Sequence, residues 1–361
     1  MMLLTTPYQH DRIRLSNRIV LPPMVIWAAE ENGMVNDYVL GHYGSFRDLG
    51  YAIVEATVVS PEGRLSQRQI GAFDDAHLPG LRRLAETLHS RADLVGIQLH
   101  HAGRNTTTHN TFGRPLLAPS AITSAQGELP VELTLGEIER IQNDFVSAAL
   151  RVAEAGFDAI ELHGAHSYLI SQFLSPLTNQ RNDHYGGSLE NRARFGLEVV
   201  RKVRQAVGER CIITMRLGIA DGMEGGLTVD EGQQVAQWIV EAGVEMLHIS
   251  SGVGAPPTSV RPEGSPWTER LHLARLAKQA VHVPVIGVGG IVTPQQAEQA
   301  LQEEMADLVA VGKGLLADPL WASKALGQVT DPLCTCMKCR VCGHYRHPFT
   351  CPARALAARA Q

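Results

Sequence analysis

The sequence predicts an α/β protein of the (β/α)8 TIM-barrel class with a C-terminal cysteine-rich extension, on three observations. Apolar runs of strand length alternate with stretches of helical length, and eight strand candidates of this kind occur within the 361 residues. An open doubly wound sheet would normally carry a glycine-rich dinucleotide turn after its first strand, and none stands there. Glycine clusters end the last two strand candidates, at Gly287-Val288-Gly289-Gly290 and Gly312-Lys313-Gly314, where this barrel commonly holds a phosphate. The barrel is expected over 1–326 and the cysteine-rich tail over 327–361.

The strand candidates are 19–24, 52–56, 94–99, 159–162, 212–217, 246–249, 283–288 and 308–311, and the helical stretches include 78–90, 135–155, 189–207, 228–242 and 294–303. The first strand runs into Pro22-Pro23-Met24, where consecutive prolines end ladder donation and fix the backbone at the barrel mouth. The third is followed by an unusually long segment, 104–132, rich in Thr, Pro and Gly, of the kind that forms a lid or a partner surface. The fifth ends in Arg216, a cation that needs a partner if buried.

A net charge of -5 and a pI near 6.3 leave no electrostatic footprint for nucleic acid. No run of about 18 apolar residues is present and the opening apolar run is too short for a signal peptide, so a soluble cytoplasmic protein is expected.

Chemistry concentrates in 158–192. A short apolar run is followed at once by His163, His166 and Tyr168, and loops at the carboxyl ends of barrel strands are where active sites form. Two imidazoles three residues apart can share one side of a helical turn and donate N–H to one acceptor, such as a carbonyl oxygen. The same pair also suits structural histidines or part of a zinc site.

The run H-G-A-H-S-Y-L-I-S-Q-F-L-S-P and the following D-H-Y-G-G-S-L-E-N-R resemble the old yellow enzyme family of flavin-dependent ene-reductases, without gaps, and the resemblance extends from about residue 15 to 319. It implies noncovalent FMN, with NAD(P)H as hydride donor and an enone or enal as acceptor. Pro23, Met24 and Ala56 would lie against the flavin ring and Gln98 would hydrogen-bond its pyrimidine edge. Arg216 would stabilise the negative charge of the reduced ring, while Gly289, Gly290, Gly312 and Lys313 would hold the phosphate. His163 and His166 would bind the activating carbonyl, and Tyr168 would give a proton to the α-carbon. The chain departs from the family at Val25, where similar members often have a flavin-tuning cysteine, and at Lys313, where arginine is usual. Family members are often dimers or tetramers, so a homo-oligomer is expected.

In the tail, Cys336, Cys339 and Cys342, with two residues between each pair, are followed after eight intervening residues by Cys351, with Cys334 as an extra candidate. This resembles the cluster loop of bacterial dienoyl-CoA reductases and trimethylamine dehydrogenase, where four thiolates hold a four-iron cluster. Zinc and unmetallated thiols are the alternatives. Two rival functions stay open at this stage: an amine dehydrogenase or demethylase that passes electrons through the tail, and a flavin-bearing redox sensor or scaffold.

Overall fold

The computed structural model describes residues 2–342 and 351–354. An antiparallel hairpin, β1 (Tyr8–His10) and β2 (Ile13–Leu15), precedes the barrel. Eight parallel strands then close on themselves: β3 (Ile19–Leu21), β4 (Leu49–Val58), β5 (Ala92–His100), β8 (Ala159–Gly164), β9 (Ile212–Gly218), β10 (Met246–Ser250), β11 (Val285–Val288) and β12 (Leu308–Ala310). Between β5 and β8 lies a two-stranded parallel pair, β6 (Leu117–Ala118) with β7 (Val131–Glu132). All eight expected strands are present in the expected order. Their ends moved for physical reasons: β3 stops before Pro22-Pro23, and β11 starts after Pro284, which has no N–H to donate.

The helices are α1 (Asp37–Gly44), α2 (Leu78–His89), α3 (Leu135–Glu154), α4 (Leu169–Leu174), α5 (Leu189–Val207), α6 (Val229–Glu241), α7 (Glu269–Ala280), α8 (Pro294–Gln302), α9 (Gly312–Ala317) and α10 (Trp321–Ala325). Thr134, Thr228 and Thr293 open α3, α6 and α8 with reciprocal capping boxes, which explains how sharply those helices start. Among the described residues no helix is long and apolar enough to cross a membrane.

Strand alternation divides the core. Ile160, Leu162, Ile213, Met215, Leu217 and Ile249 pack outward with the helices, whereas Tyr51, Ile53, Leu94, Ala159, Ile212, Met246, Ile286 and Leu308 form a separate cluster inside the barrel. Ile13 and Leu15 of the hairpin join this inner cluster and close the amino-terminal end. Two residues further along β8, β9 and β10, and four along β5, the inner cluster gives way to buried polar residues: Gln98 and His100, Glu161 and His163, Thr214 and Arg216, His248 and Ser250. The same period-two register thus makes an apolar floor and a polar mouth.

Candidate active site

The loop after β8 turns through His166 and Ser167, both in the left-handed region with φ of 58° and 61°. Such residues persist only where surrounding bonds hold them. Here His166 N donates to Ser251 O at 2.9 Å and Ser167 N to Gly252 O at 3.0 Å, stitching the loop to the end of β10. Gln172 Nε2 donates to Ser167 O at 2.6 Å and to Ala102 O at 3.0 Å, which adds the loop after β5. Asp221 fastens the remaining wall, accepting from Ser175 Oγ, Val253 N and Leu227 N at 2.5, 2.5 and 2.8 Å. The 104–132 segment is also tied down: Arg104 Nη1 donates to Ile122 O at 3.0 Å and Arg181 Nη1 to Pro119 O at 3.0 Å.

His163, His166 and Tyr168 come together as expected, but not on a helical turn, because His163 is still in β8 and α4 starts only at Leu169. Nor do the imidazoles present two free N–H groups. His163 Nε2 is 3.0 Å from His166 Nδ1, His166 Nε2 is 2.6 Å from Ser250 Oγ, and His163 Nδ1 is 3.1 Å from His100 Nδ1. They form one chain from His100 to Ser250. The Tyr168 ring meets those of His100 and His163 edge-on, at centroid distances of 4.4 and 4.8 Å.

Burial, reinforced by Arg216 and Arg270, drives the pKa of His166 well below the usual imidazole value; burial first, then neighbouring imidazoles and Arg216, does the same to His163. Both are therefore neutral donors at neutral pH. Burial raises the Tyr168 phenol, with Arg216 opposing, and lowers Arg216 to about 10, so the phenol keeps its proton and the guanidinium its charge.

Three further residues enter the mouth that the sequence reading did not single out. Glu161, fully buried, accepts from Gln98 Nε2 at 2.6 Å and is 2.9 Å from His248 Nδ1. Arg270 in the first turn of α7 adds a second cation, felt by both Arg216 and His166. His100 completes the imidazole chain. A charge interrupting the apolar run 159–162 was the available signal for Glu161.

The residues fit a flavin. Glu55 and Ala56 lie in a register shift between β4 and β5, a bulge of the sort that re-aims side chains beside active sites. Ile26 N donates to Glu55 Oε2 at 2.8 Å, which draws the Pro23-Met24 segment toward Ala56. A Cβ on Gly312 would stand 3.3 Å from Met24 Sδ, so β3 and the β12 loop meet there. Gly289 and Gly290 have φ of 125° and 75°, and a Cβ on either would press Thr268 at 2.6 and 2.9 Å. Lys313 is exposed next to Gly312. Arg216 Nε and His100 Nε2 are buried without a hydrogen-bond partner among the described residues, as suits a site completed by a polar cofactor.

Among the described residues the tail cysteines are not gathered into a metal site. Cys336, Cys339, Cys342 and Cys351 all lie among the described residues, yet no three His, Cys, Asp or Glu side chains there are grouped to hold an ion. Two bonds tie the tail to the barrel, Cys334 N donating to Asp318 Oδ2 at 2.8 Å and Arg354 Nε to Leu316 O at 2.6 Å, and one lies within the tail, from Cys334 Sγ to Ala353 O at 3.0 Å. Among the described residues the expected set Cys336, Cys339, Cys342 and Cys351 is not brought together, and none of these four thiols is fully buried.

Neutral imidazoles beside a protonated phenol, with a fixed cation and glycine loops around one barrel mouth, are what flavin chemistry asks of a protein, and they define the class of flavin-dependent oxidoreductase barrels. Residues 4–331 match the family described as NADH:flavin oxidoreductase / NADH oxidase, and the chain belongs to it. The match ends before Cys334.

Among curated relatives, the chain is 43% identical over 332 residues to an NADH oxidase of Thermoanaerobacter brockii, covering 91% of this chain but 51% of that one. It thus spans about half the length of that protein. Similarity to NADPH dehydrogenases is near full length: 40% identity over 86% of this chain and 91% of the Clostridium acetobutylicum protein, and 37% over 89% and 93% for that of Halalkalibacterium halodurans. Among solved structures, a 2-naphthoyl-CoA reductase complex superposes with TM-score 0.85 at 27% identity, over 96% of this chain and 55% of that one. Morphinone reductase bound to tetrahydroNAD superposes with TM-score 0.77 at 30% identity, over 91% and 92%.

Proposed function

We propose that the protein is an FMN-dependent NAD(P)H oxidoreductase that reduces the C=C bond of α,β-unsaturated carbonyl compounds. The observation that carries this is the Tyr168 ring packed edge-on against the neutral His163 imidazole, itself bonded to His166, beside Arg216. When bound, FMN would supply the hydride transfer from NAD(P)H to the alkene carbon β to the carbonyl.

Pro23, Met24 and Ala56 would hold the ring, Gln98 and Arg216 its polar edge, and Gly289, Gly290, Gly312 and Lys313 the phosphate. A carbonyl oxygen takes an N–H from the histidine chain; with the protons running toward Ser250, the His166 Nε2–H that meets Ser250 Oγ is released by opening a single bond. Charge that develops on that oxygen meets preorganised donors rather than water. Tyr168, kept protonated by burial, gives its proton to the α-carbon. The test is product analysis with NAD(P)H and cyclohexenone under anaerobic conditions: cyclohexanone supports the reading, and unreacted enone beside rapid NAD(P)H oxidation in air refutes it.

A further inference from the structure

Glu161 is used by nothing in the reaction proposed above, although it is a fully buried carboxylate at the centre of the polar mouth. It stands opposite Gln98 in the β5–β8 register, and His163, two residues on, is opposite Arg216, which is in turn opposite His248. Its two oxygens are taken by Gln98 Nε2 at 2.6 Å and His248 Nδ1 at 2.9 Å.

A carboxylate only accepts hydrogen bonds. The Gln98 amide nitrogen must therefore face Glu161 and its carbonyl oxygen must face away, and His248 must carry its proton on Nδ1, which leaves Nε2 bare. His248 is held neutral, by burial first and then by Arg216, so it does not cancel the carboxylate. That charge acts on Arg216 instead, against the second cation, Arg270.

We propose that Glu161 is a positioning residue for the flavin, fixing Gln98 as a hydrogen-bond acceptor and tempering the positive charge of Arg216 at the ring's polar edge. The proposal rests on the reading of Gln98 and Arg216 as flavin contacts. Without Glu161 the amide is free to flip, and two cations face the ring with no anion between them. The reduced, more negative flavin is then stabilised.

The experiment is the midpoint potential of the bound flavin, together with FMN affinity, in the parent, Glu161→Gln, Glu161→Asp and Arg216→Gln. Removing one buried charge near the ring is expected to move the reduced-to-oxidised ratio on the order of tenfold. For Glu161→Gln this is a rise of about 30 mV in a two-electron couple. Arg216→Gln is expected to shift the potential downward. Glu161→Asp keeps the charge but draws it back from Gln98, so its potential stays near the parent's while FMN binds roughly tenfold more weakly. If Arg216→Gln shifts the potential and Glu161→Gln does not, the proposal is overturned and the site reading stands. If neither shifts it, the site reading itself is overturned. If the Gln variant does not fold, the Asp variant decides, because FMN bound to it as tightly as to the parent overturns the positioning.

Discussion

His163 Nε2 and His166 Nδ1 are hydrogen-bonded to each other at 3.0 Å, so the two imidazoles act in series rather than as parallel donors. Each neutral imidazole carries one N–H, and a chain from His100 to Ser250 allows only two directions for those protons, all toward Ser250 or all toward His100.

Replacing either histidine with Ala is expected to leave flavin bound and reducible by NAD(P)H, while slowing reoxidation by an enone. Loss of a preorganised donor costs about 2.7 to 4 kcal/mol, on the order of a hundredfold or more in rate. Stopped-flow measurement of both half-reactions checks it. Parental reoxidation in both variants would make the histidines structural.

Glu55 gives a pH dependence. Burial raises its carboxyl from 4.5 to about 8 in the folded protein. Between those values the unfolded chain has lost the proton that the folded chain keeps, so this group's contribution to stability is full below the lower value and declines as pH rises to about 8. At about 1.4 kcal/mol per unit the loss is on the order of 5 kcal/mol. Glu55→Gln, which still accepts from Ile26 N, is expected to remove that slope. Denaturant unfolding of both proteins at about pH 5 and about pH 8.5 measures it, and parallel slopes would contradict it.

Lys313→Ala removes the side-chain cation of the glycine loops and should weaken FMN binding by about tenfold, since charge-assisted bonds contribute roughly 1.5 to 3 kcal/mol. Titration of the apoprotein with FMN tests this. Unchanged affinity would remove Lys313 from the phosphate site.

Asp318 anchors the tail, accepting from Cys334 N at 2.8 Å and Lys324 Nζ at 2.7 Å. Asp318→Ala leaves the ammonium without its carboxylate and should cost about 3 kcal/mol. A lower Tm with faster proteolysis near residue 334 is expected; an unchanged Tm would show the anchor to be idle.

The barrel is legible in the sequence because strand length and apolar character repeat eight times, and because Pro22 and the two glycine clusters mark strand ends where the candidate flavin residues stand. The glutamate and imidazole networks are not, since they depend on register between neighbouring strands: Gln98 meets Glu161 only because β5 and β8 pair as they do. Parity held part of the answer, for His100 lies two residues after Gln98 and His163 two after Glu161, on the same inward face. The helix α7, with Arg270 in its first turn, went unmarked beside the longer amphipathic stretches. In the tail, regular cysteine spacing marks candidate ligands, but spacing alone does not fix where thiols sit; among the described residues they are not grouped, and the segment bonds to Asp318 and Leu316.

The central claim, one flavin site serving both half-reactions, is tested most directly by anaerobic stopped-flow with the FMN-loaded protein. NAD(P)H should bleach the flavin, and mixing the bleached protein with cyclohexenone should restore its absorbance in proportion to the cyclohexanone formed. Bleached flavin that cyclohexenone and other enones and enals leave bleached, while oxygen restores it at once, would contradict the account.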